Sequence, residues 1–195
     1  MFKYLILVFS MFFIASCSEN YADTAATDNS AVSDFKLASV GNAITVDAAS
    51  AGRFGFAQTE SIGGLHLGMT PKQFVGFLPC TVKKSEPVLW AGIGEIIQEW
   101  NYADCGIKLQ LSASDNNTPQ KISSIRVMAP SEFKTNRKIG IGSNFESVID
   151  AYTEFADQAD NQAGETFLAG SVYGGLLIKF EENRVISLFL GAGAE

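Results

Sequence analysis

The chain has 195 residues, of which 47% are hydrophobic, and its formal net charge is −7 at pH 7. This length and apolar content suffice for one domain of ordinary size or two small ones. An acidic chain without a basic stripe is a poor nucleic-acid binder, and anionic lipid headgroups would repel its surface. We therefore expect no nucleic-acid partner and no membrane attachment through surface charge.

Residues 1–16 have the pattern of an export signal. Lys3 precedes an apolar run from Tyr4 to Ile14, which would span about 16 Å as a helix and is too short to cross a bilayer comfortably. The sequence Ile14-Ala15-Ser16-Cys17 follows and resembles the lipobox of bacterial lipoproteins. An ordinary signal peptide with a chance cysteine is the alternative.

The lipobox resemblance implies that residues 1–16 are removed and that Cys17 carries a diacylglyceryl thioether, usually with a third, amide-linked chain. Two or more acyl chains give a stable membrane anchor. Ser18 follows Cys17. By resemblance to sorting patterns in which aspartate at this position causes retention, Ser18 suggests a location at the outer membrane, facing the periplasm.

Residues 17–40 are mostly small, polar and acidic. We predict that this segment, which begins at the lipidated cysteine, is a flexible acidic tether with a reach of about 25–30 Å. Residues 41–60 form an uncertain lead-in, in which Ala43 to Asp47 is a candidate strand.

The rest of the chain is predicted to be a tandem repeat, with a first unit over residues 61–130 and a second over residues 131–195. When Gly68 is aligned on Gly142, apolar and helix-capping residues of the two units fall into register. Each unit is expected to contain a short strand, a glycine turn, a capped helix and a β-hairpin.

The predicted helix caps are specific. Thr70 is a good N-cap, Pro71 suits the first helical position, and Gln73 completes a capping box. In the second unit Asn144 is the aligned cap, and a box formed by residues 143–146 is its competitor.

The predicted hairpins rest on alternation of apolar and polar residues with a period of two. Each hairpin has a first strand, a turn and a return strand. These segments are residues 107–111, 115–119 and 121–128 in the first unit, and residues 176–180, 181–183 and 184–190 in the second.

The element Leu67-Gly68-Met69-Thr70, followed by a helix and hairpins, resembles the SmpA/OmlA-type outer-membrane lipoproteins and the tandem units of the β-lactamase-inhibitor protein. Those folds place a helix pair against an antiparallel sheet. The resemblance covers about residues 61–191 and implies a binding or scaffolding protein without catalysis. The expected fold class is α+β: two tandem units of a short capped helix plus an antiparallel β-hairpin, packed as one compact domain.

Two cysteines remain after lipidation, Cys80 and Cys105. Because an exported protein meets an oxidising compartment, we predict a disulfide between them. Two buried free thiols are the alternative. A metal site is disfavoured because the one histidine, His66, would leave the site short of ligands.

The sequence contains few candidate catalytic residues or motifs. His66 lies between two leucines without the glycine-flanked serine of a hydrolase elbow. Neither Gly92-Ile93-Gly94 nor Gly140-Ile141-Gly142 has the third glycine or the lysine of a nucleotide loop. Asp115-Asn116-Asn117 is interpreted as a turn, since the spaced ligands of a calcium loop are missing. We expect no catalytic residue, no metal and no cofactor.

Residues 85–102 carry a heavy apolar load inside the proposed disulfide loop. Trp90, Trp100 and Tyr102 are candidate protein-binding residues, because aromatic side chains dominate binding surfaces. The alternative is that they cover the core, with Trp100 and Tyr102 on one face of a strand.

The expected function is that of a membrane-anchored, non-enzymatic cell-envelope lipoprotein that binds or scaffolds another envelope protein. An inhibitor of a secreted or cell-wall hydrolase is the alternative, and a periplasmic enzyme is the third hypothesis.

Overall fold

An antiparallel sheet of eight strands dominates the fold. The computed structural model describes residues 55–156 and 164–193, all of which belong to one compact unit. The strands are β1 (Lys83–Lys84), β2 (Val88–Trp90), β3 (Glu95–Tyr102), β4 (Ile107–Ala113), β5 (Lys121–Met128), β6 (Thr166–Ser171), β7 (Gly174–Glu181) and β8 (Arg184–Gly191). Their order is β1-β3-β4-β5-β8-β7-β6, and β2 also pairs with β3.

The helices are short. They are α1 (Phe56–Thr59), α2 (Pro71–Phe74) and α3 (Phe145–Tyr152), with 3₁₀ turns at Val75–Phe77, Ala103–Cys105 and Thr153–Phe155. Apolar side chains of the helices join those of one sheet face in a single core. The fold is therefore mainly antiparallel β-sheet with a few short helices, which is broadly compatible with the expected α+β class.

Both predicted helix caps are confirmed. The side-chain oxygen of Gln73 accepts from the Thr70 N–H at 2.8 Å, and that of Asn144 accepts from the Ser147 N–H at 2.8 Å. The competing box over residues 143–146 does not form, because the Ser143 hydroxyl accepts from the Gly140 N–H instead.

The predicted hairpins are also confirmed, as β4–β5 and β7–β8. The residues predicted to face inward on β4 are buried, namely Ile107, Leu109 and Leu111. The sheet is wider than the hairpins alone, because β3 pairs with β4 and β6 pairs with β7. Residues 95–102 form β3, so this stretch of the aromatic segment continues the sheet.

The structure describes only the end of the lead-in, for which the sequence favours no particular secondary structure. Residues 56–59 form α1, which places Phe56 and Ala57 in the core, because Phe56 packs edge-on against the Tyr152 ring at 6.0 Å. The candidate strand from Ala43 to Asp47, the export signal and the tether lie outside the described residues. Within the part of the chain that is described, no helix is long and apolar enough to span a membrane.

The turns at Gly68 and Gly142 have closely similar geometry. Gly68 and Gly142 have φ values of 82° and 83°, a left-handed conformation that favours glycine. The Gly68 N–H donates to the Ile122 carbonyl and the Gly142 N–H donates to the Val185 carbonyl, both at 2.8 Å. In each hairpin the strand register shifts just beyond that pairing.

Candidate functional site

The face of the sheet turned away from the helices is the candidate site, and we call it the open face. Since side chains alternate along a strand, residues between the buried positions point outward to this face. Outward residues of the central strands include Lys108 and Gln110 on β4, Ser124 and Arg126 on β5, and Phe189 on β8.

Residues 85–94, which include β2, form a flap at one end of the open face. β2 pairs with β3 so that Val88 lies opposite Ile97 and Trp90 opposite Glu95. Four large hydrophobic side chains of the flap are exposed, namely Val88 (55%), Leu89 (64%), Trp90 (45%) and Ile93 (61%). Clusters of exposed apolar side chains are typical of interaction sites.

A groove lies between the flap and the open face. Its larger cavity has a volume of about 590 Å³, with Trp90, Ile93 and Ile97 among its apolar lining residues. A neighbouring cavity of about 190 Å³ shares Trp90 and Gln110 with the first and is also lined by charged side chains and Phe189. We call the two cavities together the flap groove.

At the charged end of the flap groove, one of two basic side chains forms an ion pair. Lys108 forms an ion pair with Glu99 at 3.2 Å. Arg126 lies directly opposite Lys108 in the β4–β5 register, with its guanidinium 4.8 Å from the centre of the Phe189 ring. No carboxylate among the described residues forms an ion pair with Arg126. The groove therefore offers one cation to a ligand.

The predicted protein-binding residues separate into two groups. Trp90 is exposed in the flap groove, whereas Trp100 and Tyr102 are only 5% and 3% exposed. Trp100 packs edge-on against Phe74 at 5.5 Å and its indole N–H donates to Gln98. Burial raises the pKa of Tyr102. Trp100 and Tyr102 are thus corrected to core residues, because the alternation of β3 turns both toward the helices.

Cys80 and Cys105 lie at disulfide distance, with Cα atoms 6.0 Å apart. The bond connects the chain just after α2 and its 3₁₀ turn to the turn that precedes β4. Both cysteines are partly buried against the core. The predicted lipidation residue, Cys17, lies outside the described residues.

The other candidate residues have local roles. His66 is exposed, and its Nδ1 lies 2.9 Å from the Leu67 carbonyl oxygen. Asp115 accepts from the backbone N–H groups of Asn117 and Thr118, which lower the pKa of its carboxyl and form the predicted turn. Over residues 55–156 and 164–193, no three acidic, histidine or cysteine side chains are grouped to hold a metal ion.

Sequence reasoning missed Arg126 and Phe189. Alternation along β5 and β8 could have placed each side chain outward. Their proximity depends on the pairing of β5 with β8, which sets Arg126 opposite Phe189. A pairing between strands far apart in sequence is not visible in the local pattern of either strand.

Compared with known proteins, the chain matches no family model, no curated protein and no solved structure.

Proposed function

We propose that this protein is a lipid-anchored, non-enzymatic cell-envelope protein that binds another envelope protein through the flap and the open face. The main support for this proposal is the exposed apolar flap. Val88, Trp90 and Ile93 line cavities beside the open face. A partner that buried these side chains would remove apolar surface from water, which is the main driving force of protein association. Tryptophan and arginine are also enriched among residues that dominate binding energy, and Trp90 and Arg126 line the same cavity.

We also propose that residues 61–130 and 131–195 are two copies of one unit. The matching glycine conformations and hydrogen bonds at Gly68 and Gly142 support this, as do the two capped helices. The strands β3-β4-β5 and β6-β7-β8 are each connected in sequence and paired in order, and they meet where β5 pairs with β8. In this interpretation the open face is continuous across both units.

The anchor can be tested at one residue. Cys17→Ser should abolish fatty-acid labelling, because serine lacks the thiol that takes the lipid. The variant should keep its signal or be processed poorly, as judged by its mass and its fractionation. Cys80→Ser is a matched control that should still be labelled. A Cys17→Ser protein that takes label and fractionates with membranes would overturn the lipid-anchor proposal.

The binding surface can be tested by cross-linking in envelopes, followed by recovery of the tagged protein under denaturing conditions. Trp90→Ala should reduce recovery of the cross-linked partner by about tenfold or more, the loss expected for a central aromatic anchor. Tyr173→Ala is the control, because Tyr173 is 74% exposed and is not among the residues lining the flap groove.

The identity of the recovered partner separates two functions. A membrane-associated assembly protein would support the proposal. A secreted or cell-wall hydrolase would support the inhibitor alternative, which the exposed hairpin of the flap favours because such a hairpin can enter an enzyme's cleft. Equal partner recovery by wild type and Trp90→Ala would contradict the assignment of the flap as the binding surface.

A further inference from the structure

The central strands have a charge composition unlike the rest of the chain. The whole sequence has 21 acidic and 14 basic residues. The three adjacent central strands β4, β5 and β8 instead contain four basic residues and no acidic residue. These basic residues are Lys108, Lys121, Arg126 and Arg184. Two of them, Lys108 and Arg126, line the flap groove together with Glu95 and Glu99. Because Glu99 pairs with Lys108, Arg126 is the cation of the groove that can complement an acidic group of a ligand.

Arg126 is the cation best placed to receive that ligand. Like charges directly opposite each other across two strands are destabilising, and Arg126 lies opposite Lys108. Glu99 forms an ion pair with Lys108, but no described carboxylate forms an ion pair with Arg126. The Phe189 ring beside the guanidinium favours a defined orientation of this planar group. A carboxylate held by two of the guanidinium nitrogens would relieve the repulsion.

The apolar part of the groove adjoins this cation. The two cavities share Trp90, Gln110, Ser124 and Ala192, so a ligand on Arg126 can extend under the flap. At about 590 Å³ the larger cavity has room for a large apolar side chain. The Gln110 side-chain amide, whose oxygen accepts from Ser124 at 3.4 Å, can donate to a peptide carbonyl.

We infer that the flap groove binds an acidic segment of the partner protein, with one carboxylate on Arg126 and a nearby apolar side chain beneath Trp90. This inference rests on the proposed function and names the chemistry of the segment that is recognised. The carboxylate supplies orientation and selectivity through paired charge-assisted hydrogen bonds, and the apolar side chain supplies buried area.

A peptide array tests this chemistry while the partner is still unidentified. Its octapeptides carry one glutamate and one leucine at every spacing in a glycine–serine background, and a twin array carries glutamine in place of glutamate. The purified protein should bind the glutamate peptides of one preferred spacing at least about tenfold more tightly than their glutamine twins, since charge-assisted hydrogen bonds are the stronger kind. Added salt should reduce this preference.

Three variants assign the preference to the groove. Arg126→Gln should remove the preference for glutamate, and Trp90→Ala should weaken binding of both peptide sets. Lys179→Gln removes a cation from β7, outside the residues that line the groove, and should keep the preference. Melting temperatures would verify that each variant is folded.

Equal binding of glutamate and glutamine peptides, or a glutamate preference that survives Arg126→Gln, would overturn the inference. The proposed function is judged separately by cross-linking. If partner recovery depends on Trp90 while the arrays show no acidic preference, the binding function stands and the acidic-segment inference fails.

Discussion

Loss of the Cys80–Cys105 cross-link is expected to lower the free energy of unfolding by about 3–4 kcal/mol. The two cysteines are 25 residues apart in sequence, and in the chain-entropy model a closed loop of this size restricts the unfolded chain by about that amount. The loop contains β1, β2 and β3, so the bond also limits opening of the flap edge. Urea unfolding with and without reductant measures the effect.

The double variant Cys80→Ala with Cys105→Ala should reproduce the effect of the reductant. In thermal unfolding the same loss corresponds to a decrease of about 10 °C for a domain of this size. The double variant itself is the control, because reductant should not destabilise it further. Two titratable thiols in the denatured, non-reduced protein would show that the pair is not oxidised and would contradict the prediction.

Local features of this fold could be predicted from sequence because each depends on a few neighbouring residues. Thr70 and Gln73 specify a capping box within one helical turn. The alternation of Ile107, Leu109 and Leu111 specifies a strand and its buried face whatever the strand pairs with. The prediction of the disulfide rested on the predicted export signal and on the number of cysteines, neither of which depends on the fold.

Features that depend on tertiary context could not be predicted in the same way. Trp90 and Trp100 both lie in the aromatic segment, but Trp90 is exposed on β2 at the edge of the sheet and the helices cover Trp100. The groove at Arg126 requires β5 to lie between β4 and β8. The buried carboxylate of Glu60 accepts hydrogen bonds from residues of the second predicted unit, which are far away in sequence.

Substitution of Glu60 is the second change that we expect to lower the stability of the protein strongly. It is only 3% exposed, yet its side chain is a carboxylate. Its Oε1 accepts from the backbone N–H groups of Ser61 at 2.9 Å and Asn136 at 3.1 Å. Its Oε2 accepts from the Tyr152 hydroxyl at 3.1 Å and lies 3.9 Å from Arg137 Nε. Glu60 thus connects the end of α1 to α3 and to the chain before it.

Tyr152 remains available as a donor in this network. Burial raises the pKa of Tyr152 well above its usual value, so its hydroxyl stays protonated in the folded protein. The same hydroxyl also hydrogen-bonds to Thr135 Oγ1 at 2.7 Å. Removing the carboxylate would leave this hydroxyl with one partner and the Ser61 N–H without its acceptor, whereas the Asn136 N–H would keep the Ser61 carbonyl at 3.1 Å.

Glu60→Ala should therefore destabilise the protein by about 2–3 kcal/mol, since a buried polar group left unsatisfied costs roughly 1–3 kcal/mol. Glu60→Gln should cost less, because its amide oxygen can still accept from Ser61 and Asn136. Glu132→Ala, which removes an exposed carboxylate, is the control and should change stability by less than about 0.5 kcal/mol. Urea midpoints of the three variants measure these differences. If Glu60→Ala unfolds at the same urea concentration as Glu132→Ala, the hydrogen bonds of the Glu60 carboxylate do not contribute to stability, and the prediction is wrong.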